Sequence, residues 1–236
     1  MEDSLYIVMP AYNEEANIEK TVKDWYAILE GKPDRSRLVI ADFGSNDTTH
    51  EILLSMKKNG YSKLEVLENG NKFHGPKILA LYKYAIDNKI EYIFQTDSDG
   101  QTNPMEFENF WNMRNDYVGI FGNRTVREDG KDRAFVERVV CFLLRIYFKV
   151  RIPDANAPFR LMKTDVVKKY LYKMPKNYNL PNIMITTYFA YYNEKIIFRE
   201  ISFKSRRGGE NSINLKRIIK IGMVALKDFY YLKKEM

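Results

Sequence analysis

The sequence predicts an α/β fold in one domain, a mostly parallel central sheet flanked by helices. Short apolar runs alternate with segments of helical periodicity through the first half, and three of the first four runs end in acidic or polar turns. A parallel neighbour is reached only by a connection long enough to recross the sheet, so strands alternating with helices imply parallel crossovers. Sheets of this kind hold their ligands at the C-terminal ends of the strands.

The elements follow in order. LYIVM (5–9) is a strand, and Asn13 stands as the N-cap of a helix with Ile18, Val22, Trp25 and Leu29 on one face. LVIAD (38–42) is the second strand, and its Gly-Ser-Asn-Asp turn caps a helix carrying Ile52, Leu53 and Met56. KLEVLE (63–68) is the third, followed by a Gly-rich turn and a helix from Pro76 to Asp87; YIFQTD (92–97) is the fourth. Beyond them, 131–150 is helical and apolar nearly all round, except for Arg138, Arg145 and Lys149 on one narrow stripe. PFRLMK is strand-like, 164–172 a short helix, IIFREISFK (196–204) a strand and 213–234 a last helix with Lys216, Lys220, Lys227 and Lys234 on one stripe.

A chain of 236 residues, 45% hydrophobic, buries one substantial core. One cysteine, Cys141, excludes an internal disulfide framework and a cysteine metal cluster. With neither a leader pattern nor an apolar run long enough to span a bilayer, the chain is expected to be cytoplasmic. The net charge of +7 is unevenly placed: residues 1–133 hold 17 Lys and Arg against 23 Asp and Glu, and residues 134–236 hold 21 against 8. The second half therefore faces something anionic or presents a solvated basic surface.

The polar turns are PAYNEE (10–15), DFGSND (42–47) and TDSDG (96–100). Sheet geometry brings them to one edge, where Glu14, Asp42, Asp47, Asp97 and Asp99 are expected to crowd one crevice. Crowded carboxylates repel unless a cation or hydrogen-bond donors lie between them, and Asp-x-Asp after a strand suits a hard divalent ion. Asp42 can hydrogen-bond a base or ribose, and Lys77 can meet a diphosphate at a helix N-terminus. Neither GxxxxGKS nor GxGxxG is present.

MPAYNEE, ADFGSNDTT, HGPKILALYKYA and QTDSDGQ, in that order, resemble the family 2 glycosyltransferases of Rossmann-like GT-A fold over roughly residues 4–210. FGNRTVREDG (121–130), Arg138, DANAPFRLMK (154–163) and RRGGENS (206–212) are most similar to the polyprenyl-phosphate and dolichyl-phosphate sugar transferase branch. The resemblance implies a single domain over 1–236. Residues 1–133 would bind the nucleotide-sugar, UDP- or GDP-linked, and 134–236 would form a basic acceptor half with a C-terminal amphipathic helix. Pro10, Ala11, Tyr12 and Glu14 would line the base and ribose, Asp42 would meet the base, and Lys77 would lie by the base pocket or phosphates. Asp97 would sit near the ribose and diphosphate, while Asp99, helped by Gln101, would hold Mn²⁺ or Mg²⁺. Arg124, Arg160 and Arg206 or Arg207 would flank the sugar, the diphosphate or an acceptor phosphate, with Ser212 in the same turn. Two departures stand out: Pro158 replaces the family's Gly before Phe-Arg, and His74-Gly75-Pro76-Lys77 replaces Gly-Lys-Gly.

The expected reaction is inverting transfer to a polyprenyl phosphate. A hydroxyl acceptor, on a growing cell-surface glycan, needs a general base; many relatives carry a Glu-Asp pair after Phe-Arg, whereas Val166 to Asn193 contains no carboxylate here. Asp154 is the candidate base, or a turn residue after Pro153. A nucleotidyltransferase would want a Gly-rich, basic phosphate loop where PAYNEE is acidic, and a nucleic-acid-binding role would want aromatics interleaved with Lys and Arg on a strand. No nucleic-acid partner is expected. Residues 139–150 are either a core helix or, with the basic last helix, an element lying against the inner face of the cell membrane. If Asp99 is a metal ligand, Asp99→Asn abolishes metal-dependent donor turnover while the melting temperature of the metal-free protein holds or rises; near-normal turnover removes Asp99 from the metal set.

Overall fold

A computed structural model describes residues 3–68, 70–128, 130–205 and 227–234. β1 (Leu5–Ala11), β2 (Arg37–Asp42), β3 (Leu64–Leu67) and β4 (Tyr92–Thr96) run parallel, linked by α1 (Ile18–Tyr26), α2 (Thr49–Lys58) and α3 (His74–Asp87). After α4 (Phe107–Trp111) come β5 (Gly119–Arg127), α5 (Lys131–Phe148), β6 (Phe159–Lys163), α6 (Thr164–Leu171), α7 (Pro181–Tyr191) and β7 (Ile196–Phe203). The seven strands form one sheet in the order β3-β2-β1-β4-β6-β5-β7. β6 lies antiparallel to both β4 and β5, and β7 runs parallel to β5. The expected α/β class and mostly parallel sheet are thus what the chain forms.

β1 is buried on both faces, which is why its sequence reads as a continuous apolar run rather than an alternation. Leu5, Ile7 and Met9 pack toward α1, α2 and α4, and Tyr6 and Val8 pack toward α3, α6 and α7. On α1, Ile18, Val22 and Trp25 form the buried face, and the Trp25 ring lies 5.2 Å from Phe94 and 5.9 Å from Phe159.

Two expectations change. Asn13 does not cap α1: its φ of 53° turns the chain, and its side-chain oxygen accepts the Asn46 amide at 2.9 Å. The Glu14 carbonyl accepts from Asn17 and Ile18 instead, at 2.8 Å each, and Asn17 is the cap residue. The helix expected at 131–150 ends at Phe148 and is apolar on two unlike faces. Leu144 and Phe148 are buried, while Phe135, Val139, Phe142 and Ile146 are exposed. It is therefore not a fully buried core helix. Of the last expected helix, 227–234 is helical and seats Phe229 against Phe148; 213–226 lies outside the described residues.

α3 begins where two backbones meet. A Cβ on Gly75 would lie 2.3 Å from the Tyr178 carbonyl oxygen and 2.6 Å from the Asn179 Cα, neither the tip of a flexible side chain. Gly75→Ala should cost about 1–3 kcal/mol and lower the melting temperature by roughly 2–4 °C per kcal/mol, read by thermal unfolding. An unchanged midpoint would show that the 178–179 segment yields freely.

Candidate active site

The sheet order reverses direction between β1 and β4, since β2 and β3 lie to one side and the later strands to the other. Ligand crevices of open α/β sheets form at such a switch point, beyond the strand C-termini. Ala11 pairs with Asp42 in register, and β4 flanks β1 on the other side, so the three polar turns share one edge. Ser98 Oγ donates to the Pro10 carbonyl at 2.8 Å, and Thr21 Oγ1 donates to the Ser98 carbonyl at 3.2 Å, fixing the turn after β4 against β1 and α1.

At the β2 side of the crevice Asp42 is buried, with Ser45 Oγ donating to one oxygen and His50 Nδ1 lying 3.1 Å from the other. Lys77, 1% exposed, donates to the Ala11 carbonyl and lies 5.1 Å from the Tyr12 ring centre and 5.9 Å from that of Phe43. Tyr12 is itself exposed, its ring forming an open wall above Lys77. Among the described residues, no group of three or more His, Cys, Asp or Glu is placed to hold a metal ion. Glu14 is buried and accepts from Asn17 Nδ2 at 3.0 Å, and Asp47 accepts the amides of Glu15 and Thr49.

Asp97 and Asp99 are half-buried on the turn after β4. Asp97 accepts from Gln95 Nε2 at 3.3 Å, and Asp99 Oδ1 accepts the Gln101 amide at 3.1 Å. Two carboxylates one residue apart on a fixed turn, offering oxygen alone, fit a hard divalent cation that also takes diphosphate and water oxygens. Gln101 is buried, and its Nε2 donates to the Lys204 carbonyl at 2.7 Å, so the side chain expected to assist the metal clamps the turn to the end of β7. His74 opens α3 at the crevice wall, within electrostatic reach of Lys77, Asp99 and Arg160.

On the side of the second half, Arg124 grips Asp154 through two bonds of 2.7 Å, and its Nη2 lies 3.3 Å from Glu137. Glu137 accepts the amides of Ala155 and Asn156 at 2.8 and 3.3 Å. Burial raises the Glu137 pKa, Asp154 raises it further, and Arg124 opposes both. The two residues expected as acceptor ligand and base, Arg124 and Asp154, are thus partners of one another. Arg160, expected by the sugar or phosphates, is 1% exposed and donates to the carbonyls of Ala157 and Asn182 and to Thr186 Oγ1. Its placement shapes the floor between β6 and α7. Arg206, Arg207 and Ser212 lie outside the described residues.

Sequence reasoning missed His50 and Glu137 and met His74 only as a departure from the family motif. His50 is one of two histidines in the chain, and Glu137 is the sole acid between Ala134 and Pro153. Those scarcities were the available signals.

The family model for glycosyl transferase family 2 matches residues 6–171. The chain belongs to that family. As a glycosyltransferase it resembles an uncharacterised protein of Methanocaldococcus jannaschii, 25% identical with 93% of this chain and 96% of the other covered. It also resembles the undecaprenyl-phosphate 4-deoxy-4-formamido-L-arabinose transferase of Edwardsiella ictaluri, 23% identical over 91% of this chain and 64% of the other. The dolichyl-phosphate β-glucosyltransferase ALG5D of Trichomonas vaginalis is 24% identical over 68% of this chain and 54% of its own length. The glycosyltransferase thus spans less than two thirds of these two relatives. Among solved structures, glucosyl-3-phosphoglycerate synthase of Mycobacterium tuberculosis, in complex with Mn²⁺ and UDP-glucose, superposes with a TM-score of 0.70 at 15% identity, covering 96% of this chain and 79% of the other. The shared architecture is the GT-A fold.

Burial depresses the Lys77 ammonium to about 8 from its ordinary 10.5, with Asp42 opposing. The unfolded chain therefore binds more protons than the folded one between those values, and stability gains as pH rises through that window. Lys77→Met removes that slope. In urea unfolding from pH 7.5 to 10, the wild type should gain on the variant by up to about 3 kcal/mol; a constant difference would mean that water reaches the ammonium.

Proposed function

We propose that this glycosyltransferase moves a sugar from a nucleoside diphosphate donor, UDP- or GDP-linked, to a polyprenyl phosphate, with inversion at the anomeric carbon. The observation that carries the acceptor class is the Arg124–Asp154 pair. The carboxylate expected as general base is 3% exposed and held by a guanidinium through both oxygens, which suits an anchor rather than a proton acceptor. A phosphate acceptor is already a nucleophile and needs no base. The names of the Edwardsiella and Trichomonas relatives, undecaprenyl-phosphate and dolichyl-phosphate transferases, support the same class.

In this reading Pro10, Ala11, Tyr12 and Glu14 line the base and ribose, and Asp42 accepts from the base while Ser45 and His50 hold its carboxylate. Lys77 sets a positive charge beneath that pocket. Asp97 and Asp99 would hold Mn²⁺ or Mg²⁺, which when bound neutralises charge developing on the diphosphate leaving group. Mn²⁺ and UDP-glucose in the Mycobacterium tuberculosis structure support that assignment. An oxygen of the acceptor phosphate attacks the anomeric carbon from the face opposite the diphosphate. The carbon–oxygen bond to the diphosphate breaks with its electron pair, and a glycosyl phosphodiester forms. Arg206, Arg207 and Ser212, in the sequence RRGGENS, are assigned to the acceptor phosphate, which a guanidinium binds through two oxygens at once.

Assays with several nucleotide-sugars identify the donor by its slow hydrolysis to water. With that donor, replacing Arg206 and Arg207 by Ala should lower transfer to a short prenyl phosphate by at least about tenfold, the loss of one charge-assisted contact, while hydrolysis persists. A wild-type protein that glycosylates sugar hydroxyls and ignores prenyl phosphates would overturn the reading.

A further inference from the structure

α5 carries an uncovered apolar stripe. Phe135, Val139, Phe142 and Ile146 follow one another at helical spacing and are 62, 39, 61 and 55% exposed. Arg138, Arg145 and Lys149 are exposed along one flank of that stripe. From Phe135 to Arg151 the one acid is Glu137, and it is turned inward onto the Ala155 and Asn156 amides. The outer face of this stretch is therefore apolar and cationic.

Where α5 ends, a groove of about 430 Å³ is lined by Phe142, Val150, Ile152 and Pro153, with Arg145 and Arg151. Its wall is almost wholly apolar, and its size falls in the range of about 300–1,000 Å³ typical of small-molecule sites. Along the chain, the groove leads toward the candidate active site. Pro153 precedes Asp154, which holds Arg124, and Ala157 accepts from Arg160. Phe159 then pairs with Thr96, the residue before Asp97. The stretch from Pro153 to Pro158 spans at most about 18 Å of extended chain.

We propose that this groove takes the isoprenoid chain of the acceptor where the chain leaves its phosphate, an assignment that rests on the polyprenyl phosphate reading above. The occupant has to be apolar, elongated and joined to an anion. The wall supplies apolar contact, the neighbouring arginines favour the negative head, and the segment behind the groove leads to the carboxylates of the donor site. At the other end the groove opens beside the α5 stripe, which receives the remainder of a long chain or the bilayer that holds it.

The test measures binding of dimethylallyl, geranyl and farnesyl phosphate to the full chain below their micellar concentrations, with inorganic phosphate as the headgroup control. Each buried methylene is worth about fourfold in affinity, so wild-type affinity should rise at least about tenfold from the shortest to the longest ligand. Phe142→Ser should reduce that gain to threefold or less while leaving inorganic phosphate binding unchanged, with thermal unfolding confirming the fold. Phe135→Ser, two helical turns from the groove on the same stripe, should keep the full gain. Equal loss in the two variants would mean general attraction of the stripe to lipid and would overturn the groove, as would a wild type indifferent to chain length. Failure of every prenyl phosphate to bind or accept sugar would instead sink the acceptor class itself, and the groove with it.

Discussion

Lys77 carries a charge to a place that water barely reaches, and much of the crevice at the strand ends is arranged around it. A buried ammonium is tolerated when polar groups take over from water. Here the Ala11 carbonyl, left over at the end of β1, accepts from it, and the faces of Tyr12 and Phe43 lie about one ring-contact distance away. Asp42 adds an opposite charge. These contacts bring the first turn of α3 against the ends of β1 and β2. Gly75 permits that approach, because any side chain there would meet the backbone at Tyr178 and Asn179. A strand end, a helix start and an aromatic wall are thus held together by one cation, and that is the corner at which a base and ribose would lie.

The second half has its own charged knot. Arg124 on β5, Asp154 in the segment before β6 and Glu137 on α5 meet in a largely buried cluster. Buried ions of this kind do little for net stability, but loss of one partner strands the others, so they hold a geometry firmly. Its effect is to fix the 153–157 segment against α5. Because Glu137 faces inward, the outer face of α5 is left without acid. The surface that results, apolar beside cationic, differs in kind from the acidic strand ends of the first half.

The unequal charge of the two halves acquires a structural meaning from this. In the first half Glu14, Asp42, Asp47, Asp97 and Asp99 lie at strand-end turns, with Asp97 and Asp99 on the turn best suited to a cation. In the second half the arginines divide between interior and surface: Arg160 is wholly interior, bonded to carbonyls of β6's approach and α7, whereas Arg138 and Arg145 are exposed. Net charge counted along the sequence does not distinguish these two placements.

The amino-acid sequence by itself determined the parallel half of the sheet, the helices that connect it and the family. Those are local signals: continuous apolar runs for strands buried on both faces, 3.6-residue periodicity for α1, and turn residues at strand ends. β5 escaped because two of its nine residues are glycines, chosen for close packing against Ile201 and Phe189 rather than for strand propensity. α7 escaped as an element because it is buried on nearly every side, so its sequence carries no amphipathic period. That Asp154 pairs with Arg124, that Gln101 Nε2 meets the Lys204 carbonyl, and which side of α5 faces outward were decided only by tertiary structure. Each depends on a partner far away in the chain, and the type of a residue states what it can bond to without stating which partner the fold will bring.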